Sequence, residues 1–181
     1  MCSSDLTLRV VDVGGGDGAF ARRVVLWARR AGRRVRVLVV DADAGTAALA
    51  AAACAAYPEI SVLRADARAL PLTAAAADVV HAGLTLHHLE PDDAVTALRE
   101  MRRACRGRLV VNDLARTPLA LGLVWLVTRV LPMHWMSRHD GPLSVRRAYS
   151  AAEIETLAEK AGRRVRVRRY PWLGRLVAEI R

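Results

Sequence analysis

The chain is poor in the residues that mark special protein classes. Aromatics make up 4% of its 181 residues: one phenylalanine, three tyrosines and four tryptophans. Its three cysteines, Cys2, Cys54 and Cys105, stand apart with no CxxC or CxxH spacing. That excludes a zinc ribbon, a dithiol redox motif and a disulfide scaffold, and it fits a reducing cytoplasm. The longest apolar run, Leu119 to Val127, is well short of the roughly 18 residues a membrane span needs. No charged start followed by an apolar core marks a signal peptide. The expectation is a single cytoplasmic domain, since 53% hydrophobic and 25% charged residues exclude disorder.

Lysine is nearly missing too. Only Lys160 contributes to the 28 basic residues, so 27 are arginines, and the net charge is +10. Arginine pairs recur along the chain, as at Arg22-Arg23, Arg33-Arg34, Arg102-Arg103 and Arg168-Arg169. A nucleic-acid stripe would cluster them and interleave aromatics. The charge therefore reads first as solvated surface, and second as a site for an anionic partner or peripheral membrane contact. Nucleic acid is not the expected partner.

Residues 1–6, Met-Cys-Ser-Ser-Asp-Leu, read as a leader foreign to the fold, because codons from a GTG start can spell the end of a sequencing adapter. The domain is then 7–181. From Leu8 onward, strand and helix alternate. Leu8–Val13, Val35–Val40, Ile60–Arg64, Ala77–Ala82 and Leu109–Asp113 read as buried strands. Ala19–Ala31, Ala44–Ala56 and Pro91–Cys105 read as helices, the last with Pro91 near its start and two aspartates favourable to its dipole. Residues 114–148 break the rhythm, with Leu119–Leu131 apolar on nearly every side. They suit either a helix packed on the body or a hydrophobic lid over a substrate site. Ala151–Ala161 reads as a helix, then Arg164–Arg169 and Leu173–Ile180 as strands. The alternation argues for an α/β, Rossmann-like, doubly wound and mostly parallel sheet of seven strands, with an antiparallel C-terminal edge strand.

The chemistry concentrates at three strand ends. Val11-Asp12-Val13-Gly14-Gly15-Gly16-Asp17-Gly18 puts a glycine turn between the first strand and its helix, where backbone can approach a ligand that a Cβ would repel. Gly14, Gly16 and Ala19 also satisfy GxGxxA, so the turn alone does not separate a dinucleotide from another nucleoside ligand. Asp12, just ahead of the glycines, suits an amino group and would repel a pyrophosphate. Asp41 ends the second strand, where a carboxylate can take both ribose hydroxyls. Asp66 ends the third, where a carboxylate can accept from an adenine amino group. Together these acids describe a site for a cationic adenosyl amino acid. The plain alternatives are a helix cap at Asp41 and a solvated turn at Asp66, while Asp43 reads as a cap or a neighbour of the purine edge.

With these motifs the sequence resembles the class I S-adenosylmethionine-dependent methyltransferases. The stretches that carry the resemblance are 10–18, Val39-Val40-Asp41, Ala65–Leu72, Ala77–Val80 and His87-His88-Leu89, extending to Arg99–Arg103 and Leu109–Asp113. The small-molecule subgroup of ubiquinone and menaquinone methyltransferases is the nearest in kind. The resemblance implies that backbone at Gly14, Gly16 and Gly18 holds the methionine end of the cofactor, with Asp12 near its amino group. It implies Asp41 on the ribose, and Asp66 with the Ala67 amide on the adenine. Two departures stand out: the family's helices before the first strand are not in this sequence, and His81-Ala82-Gly83-Leu84 replaces the Asn-Pro-Pro-Tyr of enzymes that methylate exocyclic base amines.

Methyl transfer asks for alignment and exclusion of water more than for acid–base groups. A phenol acceptor, with a pKa of about 10, would gain from a base, and histidine suits that task. His87 and His88 follow the fourth strand; each could equally cap or pack. His139-Asp140 forms a second candidate dyad, which could also simply open the turn at Gly141-Pro142. The cast of 112–116 and 138–147 is similar to small methyltransferases of type III polyketide pathways, and agrees with an apolar pocket from Leu119, Leu123, Trp125, Leu126, Met133 and Trp135. The expectation is therefore a S-adenosylmethionine-dependent methyltransferase acting on a hydroxyl or carbon of a small lipophilic, aromatic or polyketide-like substrate, without a metal. The alternatives are an RNA methyltransferase and a truncated, inactive remnant that still binds cofactor.

Overall fold

The computed structural model describes residues 6–130, 141 and 143–180. All but Leu6 of the expected leader, and both His139 and Asp140, lie outside the described residues. Seven strands form one sheet in the order β3-β2-β1-β4-β5-β7-β6. They are β1 (Leu8–Val13), β2 (Val35–Asp41), β3 (Ile60–Arg64), β4 (Ala77–Gly83), β5 (Cys105–Leu114), β6 (Val165–Tyr170) and β7 (Arg175–Ile180). The first five are parallel, and β7 runs antiparallel between β5 and β6. The one reversed strand therefore lies inside the sheet, with β6 at the edge.

The central strands β1, β2 and β4 are mostly apolar because helices cover both faces of the sheet there, as parallel sheets require. The helices are α1 (Ala19–Arg30), α2 (Ala44–Cys54), α3 (Pro91–Ala104), α4 (Pro118–Val130) and α5 (Ala151–Lys160). Val25 and Ala28 of α1 and Ala50 of α2 pack with Val37 and Val39 on one face. On the other face, Leu98 and Met101 of α3 and Ile154 and Leu157 of α5 meet Val80, Leu109, Val111, Leu176 and Ile180. Ser150 caps α5 through a reciprocal capping box with Glu153, which satisfies two orphan N–H groups at the helix start.

Two boundaries differ from the sequence reading for local reasons. Strand β5 begins at Cys105, directly after α3, and its register against β4 shifts between Ala77 and Val79. Residues 171–173 form a 3-10 turn, so β7 starts at Arg175; Pro171 lacks the N–H that a ladder needs. The chain passes from β3 to β4 without a helix. That crossing places β1 and β4 side by side with their connections on opposite faces, and a crevice opens at the carboxyl ends of the strands there, as the rule for open α/β sheets expects.

Candidate functional site

A cavity of about 640 Å³ occupies that crevice. Its wall combines Gly14, Gly15 and Gly16 after β1, Asp41 and Ala42 after β2, Asp66, Ala67 and Arg68 after β3, and Thr85, His88 and Leu89 after β4. Gly14 and Gly16 have φ of 65° and 58°, a region that costs other residues roughly 1–2 kcal/mol. A Cβ on Gly14 would come within 2.3 Å of Thr85 Oγ1, whereas one on Gly16 would meet no protein atom within 4 Å. Gly14 is needed for packing, and Gly16 keeps space clear beside the cavity. Thr85 ties the two walls together, its hydroxyl within hydrogen-bond distance of the Val13 carbonyl at 3.0 Å and the Gly83 carbonyl at 3.2 Å.

The three strand-end acids occupy three different situations. Asp41 stands on the cavity wall and accepts from the Gly16 N–H at 3.1 Å and the Asp43 N–H at 3.1 Å; it orders the glycine turn as well as facing the cavity. Asp43 is the cap of α2, accepting from the Thr46 N–H at 2.7 Å. Asp66 also stands on the wall, but Arg68 covers it, with its Nη2 at 2.6 Å and a second bond from Nη1 to Asp93 at 2.9 Å. The guanidinium and the Arg68 N–H hold the Asp66 carboxyl below the usual range. Asp12 is not on the wall. It is buried beneath Gly15, with Oδ1 accepting from His81 Nδ1 at 2.8 Å and Oδ2 without a hydrogen-bond partner. Gly18 likewise lies off the wall, as the left-handed N-cap of α1.

The histidine pair divides. His87 turns inward, and its Nδ1 donates to Asp113 Oδ1 at 2.6 Å. Asp113 also accepts from the Leu86, His87 and Leu114 N–H groups, so its orientation is fixed. His88 faces the cavity, with its ring 4.0 Å from that of His87. Burial, and then the neighbouring His87, hold the His88 imidazole below its ordinary pKa, which favours its neutral form. Leu119, Trp125 and Leu126, expected to build an apolar pocket, lie exposed on α4 and do not line the cavity; Met133 and Trp135 lie outside the described residues.

Sequence reasoning missed His81, Thr85, Arg68 and Asp113 as site residues. His81 meets Asp12 because the two are register partners on the adjacent parallel strands β1 and β4, a pairing set by the sheet order and not by a local motif. Arg68 gave no signal, since its position depends on how the loop after β3 folds back.

A cavity with two acids on its wall and a buried, half-partnered carboxylate under its glycine turn fits a positively charged ligand. The open space at Gly16 fits close approach of that ligand to backbone. Comparison with known proteins agrees: residues 10–108 match the family described as methyltransferase domain. The chain belongs to this methyltransferase family. Among solved structures it is similar to a SAM-dependent methyltransferase from Aquifex aeolicus, at 19% identity and TM-score 0.71, over 96% of this chain and 81% of that one. It is similar to the mitomycin 7-O-methyltransferase at 22% identity and TM-score 0.69, covering 96% of this chain and 48% of that chain. A third is the magnesium protoporphyrin IX methyltransferase of Synechocystis PCC 6803, solved with bound SAH, at 18% identity and TM-score 0.64, over 96% and 74% of the two chains. At these identities the likeness is one of fold, and this chain spans about half the length of the mitomycin enzyme. No curated protein matches the sequence.

Proposed function

We propose that the chain binds S-adenosylmethionine in the crevice between β1 and β4 and methylates a hydroxyl or carbon of a small lipophilic aromatic metabolite. The observation that carries this reading is the pairing of an open glycine cradle at Gly16 with the Asp41 carboxylate on one cavity wall. When bound, the cofactor supplies a methyl group already activated on a sulfonium. The backbone at Gly14–Gly16 would hold its methionine end, Asp41 its ribose hydroxyls, and the Ala67 amide with Asp66 its adenine. Asp66 serves that role only as Arg68 shares it, so the adenine amino group and the guanidinium divide one carboxylate. Asp12 acts from beneath, its buried charge favouring the cationic end of the ligand through Gly15.

For the acceptor, His88 is the base we favour, because its ring faces the cavity. His87, fixed by Asp113, packs against that ring, and His88 would take a hydroxyl proton as the methyl group passes from sulfur to the acceptor oxygen; general bases contribute about 10²–10⁴-fold. The O-methylation named for the mitomycin enzyme supports a small-molecule acceptor. The test is transfer of labelled methyl from S-adenosylmethionine to a panel of alkyl-substituted phenols, with transfer RNA as the competing acceptor. Labelled phenol product supports the reading. Labelled RNA with unlabelled phenols would replace it by RNA methylation, and binding of cofactor without any transfer would leave an inactive remnant.

A further inference from the structure

The net charge is not spread evenly along the chain. Up to Asp113, fifteen basic side chains stand against thirteen acidic ones; from Leu114 onward, thirteen basic stand against five acidic. Nearly all of the +10 therefore belongs to the last third, which contributes α4, α5, β6 and β7. That same third carries two of the three most exposed large apolar side chains among the described residues: Trp172 is 84% and Leu173 71% exposed in the turn between β6 and β7. This turn packs against α4, where Gly174 lies beside Ala120. On α4, Leu119, Trp125 and Leu126 are exposed, and at 100° per residue they share one arc of roughly a third of the circumference with Arg129. The Arg129 guanidinium sits 4.5 Å from the centre of the Trp125 ring. Arginines flank both parts of this surface: Arg169 and Arg175 line a hollow with Pro171 and Thr117, and Arg116 and Arg146 line another with Pro118 and Leu121 of α4.

We propose that the ridge of Trp172, Leu173, Trp125 and Leu126, flanked by arginines, is a docking surface for an anionic lipid bilayer. Tryptophan and leucine side chains gain free energy by entering the headgroup boundary, where an indole keeps its N–H near water. Arginines at the same level meet lipid phosphates and are drawn to an anionic surface. Neither half suffices alone: apolar patches mark many contact surfaces, but the surrounding charge selects an anionic one. The aliphatic Leu119, Leu126 and Leu173 separate a bilayer from RNA, which would stack on the tryptophans and gain little from leucines. No described helix is long and apolar enough to cross a membrane, so the contact is peripheral.

The test is sedimentation of the full chain with vesicles of phosphatidylcholine alone, and with about 30 mol% phosphatidylglycerol added. Binding to the anionic vesicles, little to the neutral ones, and a loss of at least tenfold in the double variant Trp172→Ser, Leu173→Ser are expected. The double variant Arg146→Gln, Arg169→Gln should bind several-fold more weakly and lose much of its salt dependence. Both sites are exposed, and retained thermal melting will show that the variants fold. Absence of vesicle binding, equal binding to both lipids, or binding untouched by either variant would overturn the proposal. Saturable binding of polyuridylate that the tryptophan variant abolishes, without vesicle binding, would overturn it in favour of RNA. Vesicle binding needs no bound cofactor and no acceptor, so its failure is distinguishable from a failure of the methyltransferase reading.

Discussion

Gly14 and Gly16 share a left-handed backbone but not a neighbourhood, and that difference separates stability from binding. Gly14→Ala drives a methyl group into Thr85, so the protein itself should lose about 2–4 kcal/mol, combining the backbone term with overpacking. Gly16→Ala meets open space and should cost only about 1–2 kcal/mol of stability, yet weaken S-adenosylhomocysteine at least tenfold. Thermal melting beside a binding isotherm separates the two. Asp113→Asn should cost about 1–3 kcal/mol, because it leaves the buried His87 Nδ1–H without its carboxylate. At this scale Asp41 was legible, since an acid ending the second strand has one direction to face. Asp12 was expected beside the ligand's amino group, but its side chain lies under the turn, and the alternation of β1 gives no hint that a histidine on β4 would take half of it. The split of His87 from His88 was equally closed to sequence, because a 3-10 turn at Leu86–His88 decides which imidazole turns inward.

Elements hold the site through their ends. Asp78 at the start of β4 accepts from the Arg9 N–H of β1 at 2.8 Å and pairs with Arg106 of β5, so one carboxylate clasps three parallel strands below the cavity. The Arg9 N–H, and then Arg106, hold its pKa below the ordinary value. A carboxyl depressed in the folded state stabilises it above the unfolded pKa near 3.8, and that contribution is lost as pH falls through the lower folded value. Asp78→Asn should therefore destabilise the protein by about 1–3 kcal/mol at pH 7, and the difference from wild type should shrink below pH 3.8 in acid melts. Ser150→Ala, which opens the capping box of α5, should cost about 0.5–2 kcal/mol at any pH between 6 and 8. Most elements were readable because period and punctuation agreed: Gly32 and Gly162 stop helices, and Pro91 opens one. Helix α4 was readable as a helix but not as a wall or lid, because a segment apolar on nearly every side has no face that names its partner.

For the molecule as a whole, topology was the most legible property and charge distribution the least. Five apolar strands alternating with helices leave few arrangements once right-handed crossovers are required, and the glycine turn after the first strand then marks the crevice. The overall charge of +10 gave no direction until its concentration beyond Asp113 was set against the exposed ridge of α4 and residues 171–173. The central claim is that the crevice between β1 and β4 binds S-adenosylmethionine through its glycine turn and Asp41. Isothermal calorimetry of S-adenosylhomocysteine against wild type and Asp41→Ala tests it most directly. A single saturable site is expected in wild type, weakened about ten- to a hundredfold in the variant, the loss of hydrogen bonds to a charged group. No heat from folded wild-type protein at roughly 100 μM, or equal affinity in the two proteins, would contradict it.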